Sequence, residues 1–402
     1  MNIVSKKFMK VALTALPVIL MTASTPPLAY AAPPTQQAIQ PNFKLGMNFL
    51  WDKGNAQKLE SSFQRMQAMG IKTARTDFEW RDVEKVKGVY NWGKLDKLVE
   101  LAHQHNVELL PIVHYAPKWA VPRNVKKPEG VYELALSEES YDEYSDFLNA
   151  AIDRYGPKGN APIEFTPIQN WQIWNEPNIK EFWYVESGYF KSWDMPKAAD
   201  KFVDFMKVVT DGLGQRRDDI TVVHAGLSKS DISYMWHLWD NDPSYGDRFD
   251  VMAVHSYFFN PQGGVRPVDS IDKDDKDYAP LGFIGSKDDH GYLQKIFNVK
   301  LFMDLKKTPK PVWVTEIGFM ANETGSTSKN PWVIKEDKAL SITAETLKYF
   351  QDHKQRLGID RVYWFVLDDY NFPHDMGNFG VYRSNGSARS AIKNTLDAYT
   401  PE

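Results

Sequence analysis

The chain of 402 residues contains no cysteine. That absence excludes disulfide scaffolds, thiolate zinc sites, iron–sulfur clusters and cysteine nucleophiles together. It also lacks an excess of either charge: 48 Lys and Arg stand against 52 Asp and Glu, a net of −4, with no extended basic block. There is therefore no electrostatic footprint for a nucleic acid. No G-x-G-x-x-G follows an apolar run, which removes the usual dinucleotide fingerprint, and no His-x-x-x-His pair encloses a glutamate for zinc. The acidic run 269–277 lacks the sixth-position glycine and closing glutamate of a calcium loop. Neither a metal nor a cofactor is expected, so the chemistry falls to carboxylates, histidine, serine or tyrosine.

Long hydrophobic runs are scarce too. The one near the start, 11–24, follows Lys6, Lys7 and Lys10 and precedes the small-x-small sequence Ala29-Tyr30-Ala31. Its roughly 14 apolar residues fall short of the about 20 needed to span a bilayer. This is the layout of a cleaved export signal over 1–31, and the protein is expected to be secreted, without membrane attachment after cleavage. Residues 32–42, rich in Pro, Gln and Ala, have little to bury, so a single folded domain is expected over 43–402.

What the chain has in quantity is aromatic residues: 13 Trp, 19 Tyr and 22 Phe. Flat rings can stack on sugars or bases, although core packing explains them as simply. Short apolar runs alternate with segments of helical spacing, such as Leu59, Phe63, Met66 and Met69, or Phe202, Phe205, Met206 and Val209. Strands are expected at 45–51, 73–80, 107–115, 171–174, 221–227, 251–258, 312–319 and 361–367, with helices between them. Further helices are expected at 138–155, 292–305, 335–357 and 387–399. Eight strand–helix units predict an α/β fold, a (β/α)8 TIM barrel, more readily than a doubly wound sheet. Long loops at 116–137, 178–196, 259–286 and 320–334 each follow a strand's C-terminal end, where such barrels build their sites.

Two carboxylates stand at those ends. Glu176 closes Trp171-Gln-Ile-Trp-Asn-Glu and Glu316 closes Val312-Trp-Val-Thr-Glu, after the fourth and seventh runs. A single glutamate there reads equally well as a structural salt bridge, since buried Glu is usually paired. Two in equivalent positions suit glycosidic cleavage, which needs one acid for the leaving oxygen and a second carboxylate to attack or to activate water. Arg75 on the second strand either holds one of them ionised or bridges Asp77 or Glu79. His255 and Tyr257, two apart, share a face of the sixth strand. Their alternatives are a bond from the tyrosine hydroxyl to the nucleophile, or plain core.

Trp-Asn-Glu-Pro at 174–177 and Thr-Glu-Ile-Gly at 315–318 resemble the acid/base and nucleophile motifs of clan A glycoside hydrolases, the retaining four-seven (β/α)8 enzymes. The stretches 78–96 and 114–119 are similar to what family 39 and cellulase-like family 5 enzymes carry after strands two and three. The resemblance spans roughly 44–398. It implies that Glu176 is the acid/base and Glu316 the nucleophile, that Asn175 binds the sugar 2-hydroxyl, and that Arg75, His114, His255 and Tyr257 bind substrate. It also implies Trp364 as the aromatic platform under the sugar. Trp80, Trp119, Trp183 and Trp313 are either further stacking surfaces or core. The expected activity is hydrolysis of a polysaccharide or oligosaccharide, with β linkage, by a monomer. Transglycosylation, or carbohydrate binding without catalysis, are the alternatives.

Overall fold

The computed structural model describes residues 44–51, 54–187, 193–257, 292–323, 325, 333–370 and 377–397. The expected leader 1–31, the stretch 32–42 and the long loop 259–286 lie outside them.

Nine parallel strands form one sheet in the order β5-β4-β3-β2-β1-β11-β8-β7-β6. They are β1 (Lys44–Asn48), β2 (Thr73–Glu79), β3 (Glu108–His114), β4 (Asn170–Ile173), β5 (Thr221–Val223), β6 (Leu227–Ser228), β7 (Met252–His255), β8 (Val312–Ile317) and β11 (Ile359–Trp364). Strands β5 and β6 are two segments of one path. The first bonds to β4, the second to β7, and Val223 bridges Val251, so the sheet returns on itself through eight staves. This is the (β/α)8 fold the alternation predicts. A two-residue pair, β9 (Ala321–Asn322) with β10 (Ile334–Lys335), lies in the loop after β8.

Helices follow the strands: α1 (Ala56–Ala68), α2 (Trp80–Val83), α3 (Gly93–Gln104), α4 (Tyr141–Tyr155), α5 (Met195–Gly212), α6 (Ile232–Asn241), α7 (Tyr292–Leu305), α8 (Glu336–Leu357) and α9 (Ser390–Asp397). Among the described residues none is long and apolar enough to cross a membrane. Local chemistry fixes their ends. The Asn55 side chain accepts from Lys58 N–H to start α1, and Gly70, at φ 67°, takes the left-handed turn that stops it. Helix α6, which apolar spacing alone leaves unassigned, starts where Asp231 accepts from the N–H groups of Ser233 and Tyr234.

Side chains alternate along the strands, so the core has two compartments. Leu110, Val223, Val251, Ala253, Trp313 and Tyr363 fill the inside of the barrel. The larger cluster lies between the strands and the helical ring and takes up most of the aromatic load: Trp80, Trp171, Trp174, Trp183, Trp239 and Trp364 are fully buried. At about 25 cal/mol per Å², burying such rings is the main stabilising term of this layer. Above the inner plug, at the C-terminal ends of the strands, the lining becomes polar.

Candidate active site

Arg75 is the centre of that polar layer. Its side chain is 1% exposed, a position a guanidinium tolerates only with every donor satisfied. Nε donates to Gln172 Oε1 (2.7 Å), Nη1 to Asn48 Oδ1 (2.8 Å) and Glu316 Oε1 (2.7 Å), and Nη2 to Asn175 Oδ1 (2.8 Å), while Nη2 also approaches His255 Nε2 at 3.4 Å. Five contacts thus tie strands β1, β2, β4, β7 and β8 to one group. Of the two options open to Arg75 in the sequence, the bridge to Asp77 or Glu79 is not taken. Asp77 bonds His114 Nε2 (2.8 Å) and Glu79 bonds Arg81 (2.8 Å).

Glu316, the penultimate residue of β8, has both carboxyl oxygens occupied, Oε1 by Arg75 and Oε2 by the Tyr257 hydroxyl. Burial by itself would raise its pKa. The charge interactions with His255 and Arg75, with the hydrogen bonds from Tyr257 and Arg75, outweigh that and hold the carboxyl below its ordinary value. Tyr257 is pushed well above the ordinary phenol range by burial and then by the Glu316 charge, so it stays a donor.

Glu176 sits just past β4, where the chain turns sharply: Trp174 and Glu176 have φ of 65° and 42°. Such conformations cost about 1–3 kcal/mol each and survive only where the surroundings impose them. Here Trp174 Nε1 donates to Phe182 O (2.9 Å), and Glu176 N–H donates to Gly226 O (3.0 Å). Glu176 Oε1 lies 2.7 Å from His255 Nδ1. Nδ1 is the ring nitrogen that faces the Glu176 carboxyl, so it is the one that donates to Glu176. That ring packs on bare backbone: a Cβ at Gly226 would stand 2.0 Å from His255 Nε2. The seat of His255 therefore requires glycine at 226.

One donor atom from each of Glu176, His255 and Glu316 can be chosen so that all three lie within 4.8 Å of one another. Two carboxylates and an imidazole could in principle hold a cation. The set fits poorly, because Glu316 is already bonded to a guanidinium and a phenol, and His255 Nδ1 to Glu176. The arrangement carries charge and protons instead.

These groups open into a cavity of about 570 Å³, within the range of small-ligand sites. Arg75, Asn175, Glu176, Tyr257 and Glu316 all line it, and His255 lies directly behind. His114 also lines it, stacked on Tyr115 and bonded to Asp77. Trp364 does not. Its ring is 1% exposed and packs edge-on against Phe319 in the outer core. Alternation is the reason: Tyr363 points into the barrel, Trp364 out of it, and Phe365 back in, where with Tyr370 and Phe379 it forms the aromatic wall. The platform position implied for Trp364 is thus one residue early. Trp80, Trp183 and Trp313 are core, and Trp119 packs against Trp80.

Asn48 and Gln172, the two further side chains that hold Arg75, carried no recognisable motif. Their signal is that each is a polar residue within an otherwise apolar strand segment. The aromatic wall is anchored from behind by Arg389, which is 4% exposed and forks onto both oxygens of Asp369 (2.8 and 2.9 Å) while donating to Gly380 O (2.6 Å). Those partners are the immediate neighbours of Tyr370 and Phe379.

The comparisons with known proteins agree with this fold. The chain resembles clan A glycoside hydrolases. The family model described as beta-galactosidase, glycoside hydrolase family 42, matches residues 48–125. Three solved structures have the same fold. A family 39 glycoside hydrolase from the gut symbiont Bacteroides cellulosilyticus WH2 aligns with TM-score 0.60 and 19% identity, covering 89% of this chain and 63% of that one. A beta-galactosidase from the psychrophilic Marinomonas ef1 gives 0.58 and 17%, over 89% and 59%. A family 5 subfamily 18 enzyme from Bifidobacterium longum, solved in complex with Manb1-4GlcNAc, gives 0.56 and 13%, over 89% and 78%. The chain spans about 60% of the length of the first two. No curated protein matches it in sequence.

Near the cavity a second buried carboxyl titrates abnormally. Glu133, 6% exposed, accepts from Ala116 N–H (3.0 Å) and lies 3.8 Å from Arg81 Nη1. Burial pushes it up to about 7 against the opposing pull of Arg81. A folded value above the unfolded one means the folded state binds the proton more tightly. The stabilisation is complete below about 4.5 and is lost as pH rises through about 7. Glu133→Gln keeps the acceptor for Ala116 and removes the titration. Its unfolding free energy relative to wild type, measured by denaturant titration, should rise from pH 5 to pH 8, reaching a gain of up to about 3 kcal/mol at 1.36 kcal/mol per pKa unit. A pH-independent difference would contradict the assignment.

Proposed function

We propose that the chain is a secreted retaining glycoside hydrolase that cleaves β-linked oligosaccharides or polysaccharides by double displacement. The observation that carries this is the asymmetry of the carboxyl pair. A Glu316 oxygen and a Glu176 oxygen lie within 4.8 Å, which supports the retaining separation of about 5–5.5 Å over the inverting one of about 6.5–9.5 Å. Only Glu316 is held by an arginine and a tyrosine. The ionised Glu316 attacks the anomeric carbon while Glu176 gives its proton to the leaving oxygen. A covalent glycosyl ester forms on Glu316. Glu176 then takes a proton from the water that attacks the same carbon, and both carboxyl groups return to their starting states.

Asn175 accepts from Arg75 through Oδ1, which leaves its Nδ2 as the donor for a sugar hydroxyl. Phe365, Tyr370 and Phe379 supply the apolar wall for a sugar face. The family-model match and the beta-galactosidase neighbours support a β linkage, and the layout of residues 1–31 supports export. The test is a screen of the purified chain against β-galactosides, β-glucans, xylans and mannans, followed by proton NMR of the first product formed. The β anomer should appear first and mutarotate later; an α anomer formed first from a β-glycoside would refute the retaining mechanism.

A further inference from the structure

We infer that Phe182 is the platform on which the leaving-group sugar stacks, so that the chain is built to break, and in reverse to make, a bond between two sugar rings. The inference rests on the glycosidase reading above and extends it to the group that departs. Phe182 lies in the loop after β4, five residues beyond the Trp-Asn-Glu-Pro motif, and lines the cavity together with Glu176 and Glu316.

Hydrogen bonds fold that loop back on the acid. Ile179 N–H donates to Glu176 O (3.3 Å), Phe182 N–H donates to Ile179 O (3.3 Å), and the Phe182 carbonyl accepts from Trp174 Nε1 (2.9 Å). One closed turn thus carries both Glu176 and the ring. Tyr132 packs on Phe182 with centroids 5.4 Å and planes 31° apart, and its own segment is tied to the same loop, since Tyr132 and Glu133 N–H both donate to Glu181 O (2.7 and 3.0 Å). Tyr115, the next ring at 6.4 Å, is already covered: His114 stacks on it at 3.7 Å and the Arg81 guanidinium lies over it at 4.4 Å. Phe182, partly exposed, is left to meet a ligand.

The other aromatic wall belongs to Glu316. Tyr257, which donates to that carboxylate, packs edge-on against Phe365 and Phe379 (5.7 and 5.6 Å). The two walls are close to each other and to the carboxyl pair. Burial raises the pKa of the Tyr370 hydroxyl, and so do the charges of Glu316, Tyr132, Asp369 and Glu176, in falling order. Tyr370 of the one wall is therefore within electrostatic reach of both glutamates and of Tyr132, which backs Phe182 in the other. The sugar esterified to Glu316 lies against the first wall, and its neighbour, attached through the oxygen that Glu176 protonates, lies against Phe182. A pyranose suits that surface, because its axial C–H bonds make a flat apolar face that an aromatic ring matches. A methyl group or a fluoride ion presents no such face.

The incoming group uses the same place, since the acceptor that attacks the glycosyl ester enters where the leaving group left. A sugar hydroxyl attacks the anomeric carbon, its proton passes to Glu176, the ester bond breaks, and Glu316 returns as a carboxylate. Water and methanol give their proton to the same Glu176. A ratio of products therefore reads acceptor binding and cancels any disturbance of the acid itself.

The experiment supplies the β-fluorides of galactose, glucose and xylose as donors, with the methyl β-pyranosides of galactose, glucose, xylose and mannose, or methanol, as acceptors, and separates the products by chromatography. For at least one donor the wild-type chain should transfer to a pyranoside. The ratio of that transfer to hydrolysis should fall about tenfold with Phe182→Ala, and at least about threefold with Phe182→Leu, which keeps apolar bulk against Tyr132 but no flat face. Phe182→Tyr should hold it. The ratio of methanolysis to hydrolysis should be the same in all four chains. The inference is overturned if the wild-type chain transfers to no pyranoside, if the pyranoside ratio survives Phe182→Ala or Phe182→Leu, or if the methanol ratio falls in step with it. The two readings fail differently. A donor consumed with a pyranoside ratio indifferent to Phe182 sinks the platform and leaves the glycosidase, whereas no donor consumed and no glycoside cleaved sinks the glycosidase reading and the platform with it.

Discussion

Glu316→Gln is expected to lower turnover of an aryl β-glycoside by about 10,000-fold or more, the scale on which removal of a covalent nucleophile acts. The amide has the shape of the carboxylate and no nucleophilic lone pair at the charge the reaction needs. Its oxygen can still accept from Arg75 in place of Oε1, and its NH2 can donate to the Tyr257 oxygen with the hydroxyl turned away. The barrel should therefore fold. It should also melt lower, because Arg75 keeps its charge while its remaining partners, Asn48, Gln172, Asn175 and His255, offer no full negative charge in return. Glu316→Asp separates the two effects. It restores the ion pair and much of the melting temperature, yet withdraws the attacking oxygen by about one methylene and stays slow. Turnover by Glu316→Gln within tenfold of wild type would remove the nucleophile assignment.

The parts of this molecule that follow from strand periodicity were legible in the sequence, and the parts set by side-chain orientation beyond a strand's end were not. Eight apolar runs between helical segments give the eight staves, and the two glutamates at run ends give the carboxylate pair. Arg75 was placed correctly on its strand. Which acid it bridges needed the structure, because Glu316 is 241 residues away while Asp77 and Glu79 are neighbours in sequence. Trp364 shows the limit most clearly. In Tyr363-Trp364-Phe365 each ring has the bulk of a platform, and only the inward direction of Tyr363, set by the pleat, shows that Phe365 and not Trp364 faces the cavity. Gly226 gave no signal of its own, since its reason is the approach of a histidine ring from another strand. The fifth stave, read as one run over 221–227, is interrupted at 224–225 and resumes at Gly226, which bridges Asn175, accepts from Glu176 N–H and seats His255 on its bare backbone.

Glu176→Ala is the complementary experiment, and its expected result depends on the leaving group. A dinitrophenolate departs without proton help, so the glycosyl-enzyme should still form on Glu316, but water arriving without a general base should release it slowly. Turnover should fall by about 100- to 10,000-fold, the usual span of general acid–base assistance. An unactivated alkyl glycoside, which needs the proton in the first step, should lose more. Truncation empties the space next to His255 Nδ1, the present partner of the Glu176 carboxylate, on the face from which the leaving group departs. Azide, small and needing no base, should enter there, accept from His255 and attack the ester carbon. Rescue should then raise turnover of the activated substrate and yield the β-glycosyl azide from a β-glycoside, with no such product from Glu316→Gln. An α-glycosyl azide would mean direct displacement on the intact substrate and would place Glu176, rather than Glu316, opposite the departing group.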